Sequence, residues 1–362
     1  MSPSRVQIPF DGTGLKGRPP LFCLSNLLPI GFSKRIILVP EAGKCAVFRC
    51  QPHSYIWIPS AKHEGVHMTK EKRSILVFGA TGQQGGSVAA ELMRAGWRVR
   101  ALVRDLASPK SEALRRAGLE LVHGSFADIE VIRATMKESY GVFSVLPGNL
   151  PEEEEVRLGS AIGDLAAECG VAHLVYSSGA SAGEKPTGVA RFDAKPRIEV
   201  HIRKLPIIAT IVRPMIFMEM LARPGYGLEE GQFKFFLRPD QSMQVIAVDD
   251  IGKFVAAIFA DKVRFGGETL KIAGDTVTGR ELGEIFTEAA GRPIVYARFS
   301  DKVLAANSTL GQLAASLDEG PLADHVDLNV MRRINPEIIS FRSWLAGSGR
   351  KAFDDAIRLG VR

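Results

Sequence analysis

The amino-acid sequence predicts an α/β protein: a doubly wound parallel sheet with helices on both faces, followed by a smaller C-terminal α/β lobe. Three observations point there. From Ser74 onward, apolar runs of strand length alternate with amphipathic stretches of helical period, the pattern of strand–helix–strand units. The first run, Ser74 to Ala80, is continuously apolar, as in a strand buried on both faces. Gly79, Gly82 and Gly85, spaced by three, close that strand and open a helix.

The elements follow in order. Gln83 to Ala95 is expected to be a helix with Val88, Leu92 and Ala95 on one face and Gly96 as its stop. Residues 97–104, "WRVRALVR", form the second strand, residues 108–118 a helix, and residues 119–124, "LELVHG", the third strand. Asp128 opens the next helix near its N-cap. The strand "YGVFSVLP" stops at Pro147. The helix "PEEEEVRLGSAIGDLAAECG" starts at a proline and carries four glutamates in its first turns, where they complement the positive end of the helix dipole. That acidic run is read as a solvated helix start, not as a metal site. A fifth strand (171–178), a helix over 194–205 that contains Pro196, and a sixth strand (206–214) complete the regular part. Beyond Pro214 the pattern weakens to a helix over 249–261, a strand over 268–274 and a helix over 278–291. The expected organisation is a disordered or artefactual extension over 1–70, a nucleotide-binding domain over 71–220, and over 221–362 a smaller substrate or partner lobe, partly interleaved with the sheet.

Composition narrows the classes. The chain has 362 residues, 46% hydrophobic and 24% charged, with net charge +6. Residues 1–67 hold eight basic and three acidic side chains, so the surplus lies there and the body is nearly neutral. With no aromatic-basic motif in the body, direct nucleic-acid binding is not expected. No run of 18 apolar residues occurs, so no membrane-spanning helix and a cytoplasmic location are expected. Cys23, Cys45 and Cys50 lie in the leader and only Cys169 in the body, too few for a disulfide framework. The spacing of Cys45, Cys50, His53 and His63 matches no compact zinc finger. Met68 precedes a charged stretch, Lys70 to Arg73, and a strand and reads as a natural start.

Glycines after a strand and before a helix let a backbone approach a pyrophosphate, and the helix start offers free N–H groups and positive potential. The loop Gly79, Thr81, Gly82, Gln83, Gln84 and Gly85 is therefore the candidate dinucleotide cradle. The second strand ends in Val103, Arg104 and Asp105. An acid there suits a free ribose 2′-hydroxyl and an arginine a 2′-phosphate. Arg104 is the first residue free of the sheet, so NADP(H) is preferred over NAD(H). The competing reading of Arg104 is a solvated strand end.

The segments "ILVFGATGQQGGSV", "VRALVRD", "LVYSSGA", "RFDAKPRIE", "TIVRPMIFME" and "IAVDDIG", in that order, resemble the NmrA-like family of atypical short-chain dehydrogenases over roughly residues 74–300. The resemblance implies a Rossmann domain, a bound dinucleotide often with NADP preferred, and a small C-terminal lobe over the cleft. Some members sense nicotinamide redox state and bind regulatory partners. Others reduce quinones or similar small molecules. The leader has no counterpart.

Short-chain dehydrogenases use a tyrosine general acid, a lysine four residues later that lowers its pKa, and a serine after the fifth strand that polarises the substrate carbonyl. Lys195 occupies the lysine position, but four residues earlier stands Arg191, which cannot donate a proton. Lys195 is read as a ligand of the nicotinamide ribose or as a solvated helix lysine. Ser177 and Ser178 stand where the family serine would be and are read as a nicotinamide or substrate contact or as plain strand-end hydroxyls, with Ser178 the candidate catalytic residue. Pro214 and Phe217 resemble the segment that passes the nicotinamide, with Phe217 alternatively a core residue. Ser125 and Phe126 would flank the adenine, although "GSFAD" departs from the Gly-Asp common there. Tyr176 lies within a strand, and Tyr226 could approach from the lobe. His173 and His201 are read as structural or surface residues. A protein that holds NADP(H), with weak or no dehydrogenase activity and a regulatory protein partner, is the first reading. An NADPH-dependent reductase of quinones or other small molecules is the second.

Overall fold

In the computed structural model the described residues are 37–41, 44–48, 55–58, 74–183, 187 and 189–358; the side chains of 37–58, Ala190 and Arg191 are outside the description. The chain divides into two compact units, Met1–His67 and Met68–Arg362. In the first unit, β1 (Ile37–Glu41), β2 (Lys44–Phe48) and β3 (Tyr55–Ile58) form an antiparallel sheet in that order. Most of the expected extension, including Cys50, His53 and His63, lies outside the described residues.

The second unit carries β4 (Ser74–Val77), α1 (Gln83–Arg94), β5 (Arg98–Val103), α2 (Pro109–Arg116), β6 (Glu120–His123), α3 (Ile129–Lys137), β7 (Gly141–Ser144), α4 (Glu152–Glu168), β8 (His173–Ser177), α5 (Ala190–Ile202) and β9 (Ala209–Pro214). Then come β10 (Ile216–Phe217), α6 (Met218–Leu221), β11 (Gln232–Phe235), β12 (Ser242–Ile246), α7 (Val248–Ala260), α8 (Lys262–Phe265), β13 (Thr269–Ile272), β14 (Asp275–Thr278), α9 (Gly279–Ala290) and β15 (Val295–Arg298). Five helices close the chain: α10 (Asp301–Ala306), α11 (Ser308–Glu319), α12 (Leu328–Ile334), α13 (Phe341–Ala346) and α14 (Arg350–Arg358).

Seven parallel strands form the main sheet in the order β13-β9-β8-β7-β4-β5-β6. Successive strand side chains point to opposite faces, and both faces here are covered. Ile75 and Val77 pack with Val88 and Leu92 of α1 and Phe254 and Ile258 of α7. Leu76 and Phe78 pack with Ile132 of α3, Ile162 of α4 and Ile198 of α5. That double burial is why β4 is continuously apolar.

Local signals explain the helix ends. The buried face of α1 is Gly85, Val88, Ala89 and Leu92; Ala95, expected on that face, is instead the exposed C-cap, followed by Gly96 at φ +83°. Helix α5 begins at Ala190, earlier than its expected start at 194, which places Arg191 in its first turn. Helix α9 has a complete capping box between Thr278 and Glu281.

The later elements cross repeatedly between sheet and lobe. The chain leaves β9 through Met215 into β10, returns through Ala247 to α7, rejoins the sheet as β13, and leaves again through Ala273 to β14. The strands β10, β12 and β14 make one small sheet, and β11 pairs in parallel with β15. The lobe has its own core, centred on Phe233, Phe235, Phe286, Phe341 and Phe353.

Candidate functional site

The sheet order reverses between β4 and β7, and the carboxyl ends of those strands frame the crevice in which doubly wound folds bind ligands. There the chain turns at Gly79, with φ +68°; a Cβ at this position would lie 2.9 Å from Val145 Cγ1. The Gly82 amide donates to the Gly79 carbonyl at 2.8 Å, closing the turn. A Cβ on Gly85 would collide with the Gly79 carbonyl group, so the start of α1 rests directly on the turn. Gly82 is the N-cap, in extended conformation, with no side-chain cap and no acid in the following turn. The first-turn amides, those of Gln83, Gln84 and Gly85 among them, have no helical acceptor. Thr81, Gly82 and Gln83 are exposed. The turn, the bare helix start and the close approach fit the pyrophosphate of a dinucleotide. Gln84 is held by the far side of the crevice, its Oε1 accepting from Ser177 Oγ at 2.7 Å.

At the end of β5, Arg104 is exposed and, among the described residues, has no carboxylate partner. Asp105 is used locally. Its Oδ1 accepts from the Ala107 amide at 2.8 Å, and its carbonyl accepts from the hydroxyls of Ser108 and Ser111. Ser108 in turn caps α2. At the end of β6, Ser125 donates to Asp128 through both its amide and its hydroxyl, each at 2.7 Å. Asp128 holds the N-cap position of α3 but does not cap it with its side chain. The Ser125 hydroxyl and amide hold its carboxyl below the ordinary range. Phe126 stacks on Phe78 with centroids 5.6 Å apart, at the margin of the sheet core.

The third cluster lies beyond β8. Lys195 Nζ donates to Glu155 Oε1 at 2.7 Å, and the Glu155 side chain is only 3% exposed. Arg197, one turn of α5 away from the loop, pairs with Glu152 and Glu153. The acidic run of α4, expected as a solvated helix start, is therefore the anchor of α5. Two glycines let the helices meet: a Cβ on Gly159 would lie 2.6 Å from Ile198 Cδ1, and one on Gly163 would lie 3.0 Å from Leu205 Cδ1. Glu155 heads this stripe at intervals of four residues, which is the signal in the sequence that marks it as facing α5.

Ser177 and Ser178, adjacent in the chain, point to opposite faces. Ser177 holds Gln84, and Ser178 Oγ donates to Glu199 Oε1 at 2.6 Å. Glu199 is fully buried and also accepts from Arg213 and Arg203. Burial works to raise its carboxyl, but Arg213, Ser178 and Arg203 outweigh it and hold the group below the ordinary range. Tyr176 is buried, and among the described residues its hydroxyl has no hydrogen-bond partner. Burial, then Glu155 and Glu199, push that phenol well above its ordinary value, so it is a poor acid. Tyr226 lies in the aromatic packing of the lobe, with Phe233 and Phe235 at 5.8 and 5.5 Å. Tyr296 donates to the Leu237 carbonyl, and Tyr140 stacks on Trp97. The Arg191 side chain lies outside the described residues.

Pro214 ends β9, and Phe217 in β10 is half-buried against the sheet core. Between the loop after β8 and α11 opens a cavity of about 710 Å³, lined by Ser181, Thr187, Phe192, Gln312, Leu313 and Pro321 among others. The size is that of a small-molecule site. His173 and His201 are placed as structural groups: buried His173 bonds Thr210 Oγ1 and His201 bonds Asp164, each at 2.7 Å.

The chain is similar to an NmrA-like family domain-containing oxidoreductase of Malbranchea aurantiaca, 30% identical over 268 residues, 65% of this chain and 78% of that protein. Its fold matches the negative transcriptional regulator Nmra, whose structure was solved in complex with NAD, at TM-score 0.65 and 20% identity, covering 79% of this chain and 98% of that one; a complex of the same regulator with NADP matches at 19% identity. It also matches an NADPH-dependent quinone oxidoreductase of Escherichia coli solved with NADPH, at TM-score 0.64 and 20% identity, covering 76% of this chain and 99% of that one. The NmrA-like family pattern extends over residues 71–319, and the chain belongs to the NmrA-like family.

Proposed function

We propose that the chain binds a nicotinamide dinucleotide across the β4–β7 crevice, prefers NADP(H) to NAD(H), and acts as a redox-sensing regulator with weak or no dehydrogenase activity. The observation that carries the binding is the Gly79–Gly85 junction, whose turn and uncapped helix start suit a pyrophosphate. The Nmra regulator with NAD or NADP and the quinone oxidoreductase with NADPH, similar in fold, support the same ligand class. Exposed Arg104, beside an Asp105 already committed to its own turn, supports the 2′-phosphate.

The missing proton donor supports holding over turnover. Arg191 stands where the general acid belongs; buried Tyr176 is a poor acid, the Tyr296 hydroxyl is engaged with the Leu237 carbonyl, and the rings of Tyr140 and Tyr226 pack on other aromatic side chains. The bound nicotinamide can supply a hydride, but a carbonyl acceptor also needs a proton. Lys195, steadied by Glu155, serves here to hold the nicotinamide ribose. A quinone can take its proton from water, so NADPH-dependent reduction of quinones or similar acceptors is the second reading. It is favoured by the cavity beside the loop after β8 and by the oxidoreductase relatives.

Titration of the purified full chain with NADPH and NADP, together with NADPH consumption in the presence of quinones, ketones and aldehydes, separates the two. The regulator reading expects different affinities for NADPH and NADP and no carbonyl turnover. Robust ketone or aldehyde reduction overturns it.

A further inference from the structure

The lobe places a second cation over the glycine loop. Arg223 follows Leu221 and Ala222, both buried in the lobe core, so its backbone is fixed while its side chain is exposed. Its guanidinium reaches back across the crevice to Gln83 Oε1, at 3.4 Å. Gln83 is the first residue of α1, next to the bare N-cap Gly82. A neutral amide oxygen at that distance is a weak acceptor. Among the described residues no carboxylate pairs with Arg223, and α1 brings no acid of its own in its first turn. Its charge is also felt at Tyr226, where burial raises the phenol and Arg223 opposes it.

We propose that Arg223 is a second anchor of the dinucleotide, gripping the pyrophosphate from the lobe side while the first-turn amides of α1 hold it from below. This rests on the dinucleotide reading above. The role is distinct from that of Arg104. Arg104 stands just past the end of β5 in the main sheet, whereas Arg223 comes from the lobe, in the turn after α6. A 2′-phosphate occurs only in NADP(H), whereas the pyrophosphate is common to both cofactors. The two arginines therefore differ in what their loss does, and an exposed guanidinium can be replaced without disturbing the core.

Calorimetric titration of the full chain with NADPH and with NADH, for the parent, Arg223→Gln, Arg104→Gln and Gly82→Val, tests this. The expected result is that Arg223→Gln weakens both cofactors by about tenfold, as for a lost charge-assisted contact, with an unchanged melting temperature. Arg104→Gln weakens NADPH alone. If Arg223→Gln binds both as the parent does while Gly82→Val binds neither, Arg223 is a solvated surface arginine and this inference fails while the site stands. A loss confined to NADPH would place Arg223 at the 2′-phosphate and also overturn it. If Gly82→Val binds as the parent does, the dinucleotide site itself is misplaced and both fall.

Discussion

Replacing Lys195 by methionine removes the ammonium paired with Glu155, and its consequences can be worked out from the geometry. The two groups meet at 2.7 Å, with Glu155 3% and Lys195 22% exposed. Methionine keeps most of the aliphatic stem, so little packing is lost. What remains is a carboxylate enclosed by α4, α5 and the uncharged Tyr176 phenol, with no counter-charge. Breaking one side of a buried pair costs about 3–5 kcal/mol. The lower end applies, because the lysine side is partly open to water. About 3 kcal/mol corresponds to a drop of roughly 6 °C in melting temperature for a unit of this size. Lys195→Met therefore unfolds earlier and binds dinucleotide poorly for two mixed reasons. Adding Glu155→Gln separates them. The double variant recovers most of the lost stability, because the orphaned charge is gone, but not the cofactor affinity that the proposed Lys195 contact would supply. Thermal melts read by circular dichroism, with NADPH titrations of both variants, provide the comparison. A Lys195→Met protein that melts with the parent, or a double variant that melts lower than the single, would show that Glu155 does not depend on Lys195.

Further outcomes are expected. Gly85→Ala forces a methyl into the Gly79 carbonyl group; overpacking of this kind costs about 1–3 kcal/mol, and NADPH affinity should fall with it, so unchanged binding refutes the close-approach role. Buried His173 has its pKa lowered to about 4, by burial and then by Lys262. The unfolded value is near 6.5, so neutral His173 favours the fold above pH ~6.5, and on the order of 3 kcal/mol is lost as pH falls to about 4. His173→Gln should flatten urea midpoints across that window, and an unchanged slope assigns the acid sensitivity to other groups. NADPH oxidation with ketones should be undetectable in the parent, while slow oxidation with quinones is compatible with the site; steady-state absorbance decides.

The alternation of β4 to β9 with their helices is readable in the sequence because double burial leaves continuous apolar runs and each helix keeps its own stop signal. The partners of those elements are less readable. The strand over 268–274 can be recognised, but nothing local says that β13 lies beside β9, since that pairing joins segments more than fifty residues apart in the chain. The two-residue β10 is too short to leave a period. At the candidate site, spacing and position single out the glycines, and its place after β5 singles out Arg104. Glu155 does not, because four consecutive acids suit a helix dipole equally well whether solvated or buried. Only the glycines at 159 and 163, four and eight residues on, distinguish the face that meets α5. Ser178 looks equivalent to Ser177 until the strand alternation assigns one to α1 and the other to Glu199.

Three of the crossings between sheet and lobe limit how this protein can report on its ligand. Met215, Ala247 and Ala273 are all buried. Two of the crossings are bonded into the sheets they join, Met215 N to the Ile272 carbonyl at 3.0 Å and Gly274 N to the Val245 carbonyl at 2.8 Å. A jaw that opens and shuts needs one or two pliable connections, whereas three adjacent seams behave as a fixed joint. Rotating one body against the other would tear backbone hydrogen bonds inside dry protein, each expensive to leave unmade. Any signal from the crevice must then travel by local rearrangement at the surface, and solution scattering should give the same envelope with and without dinucleotide.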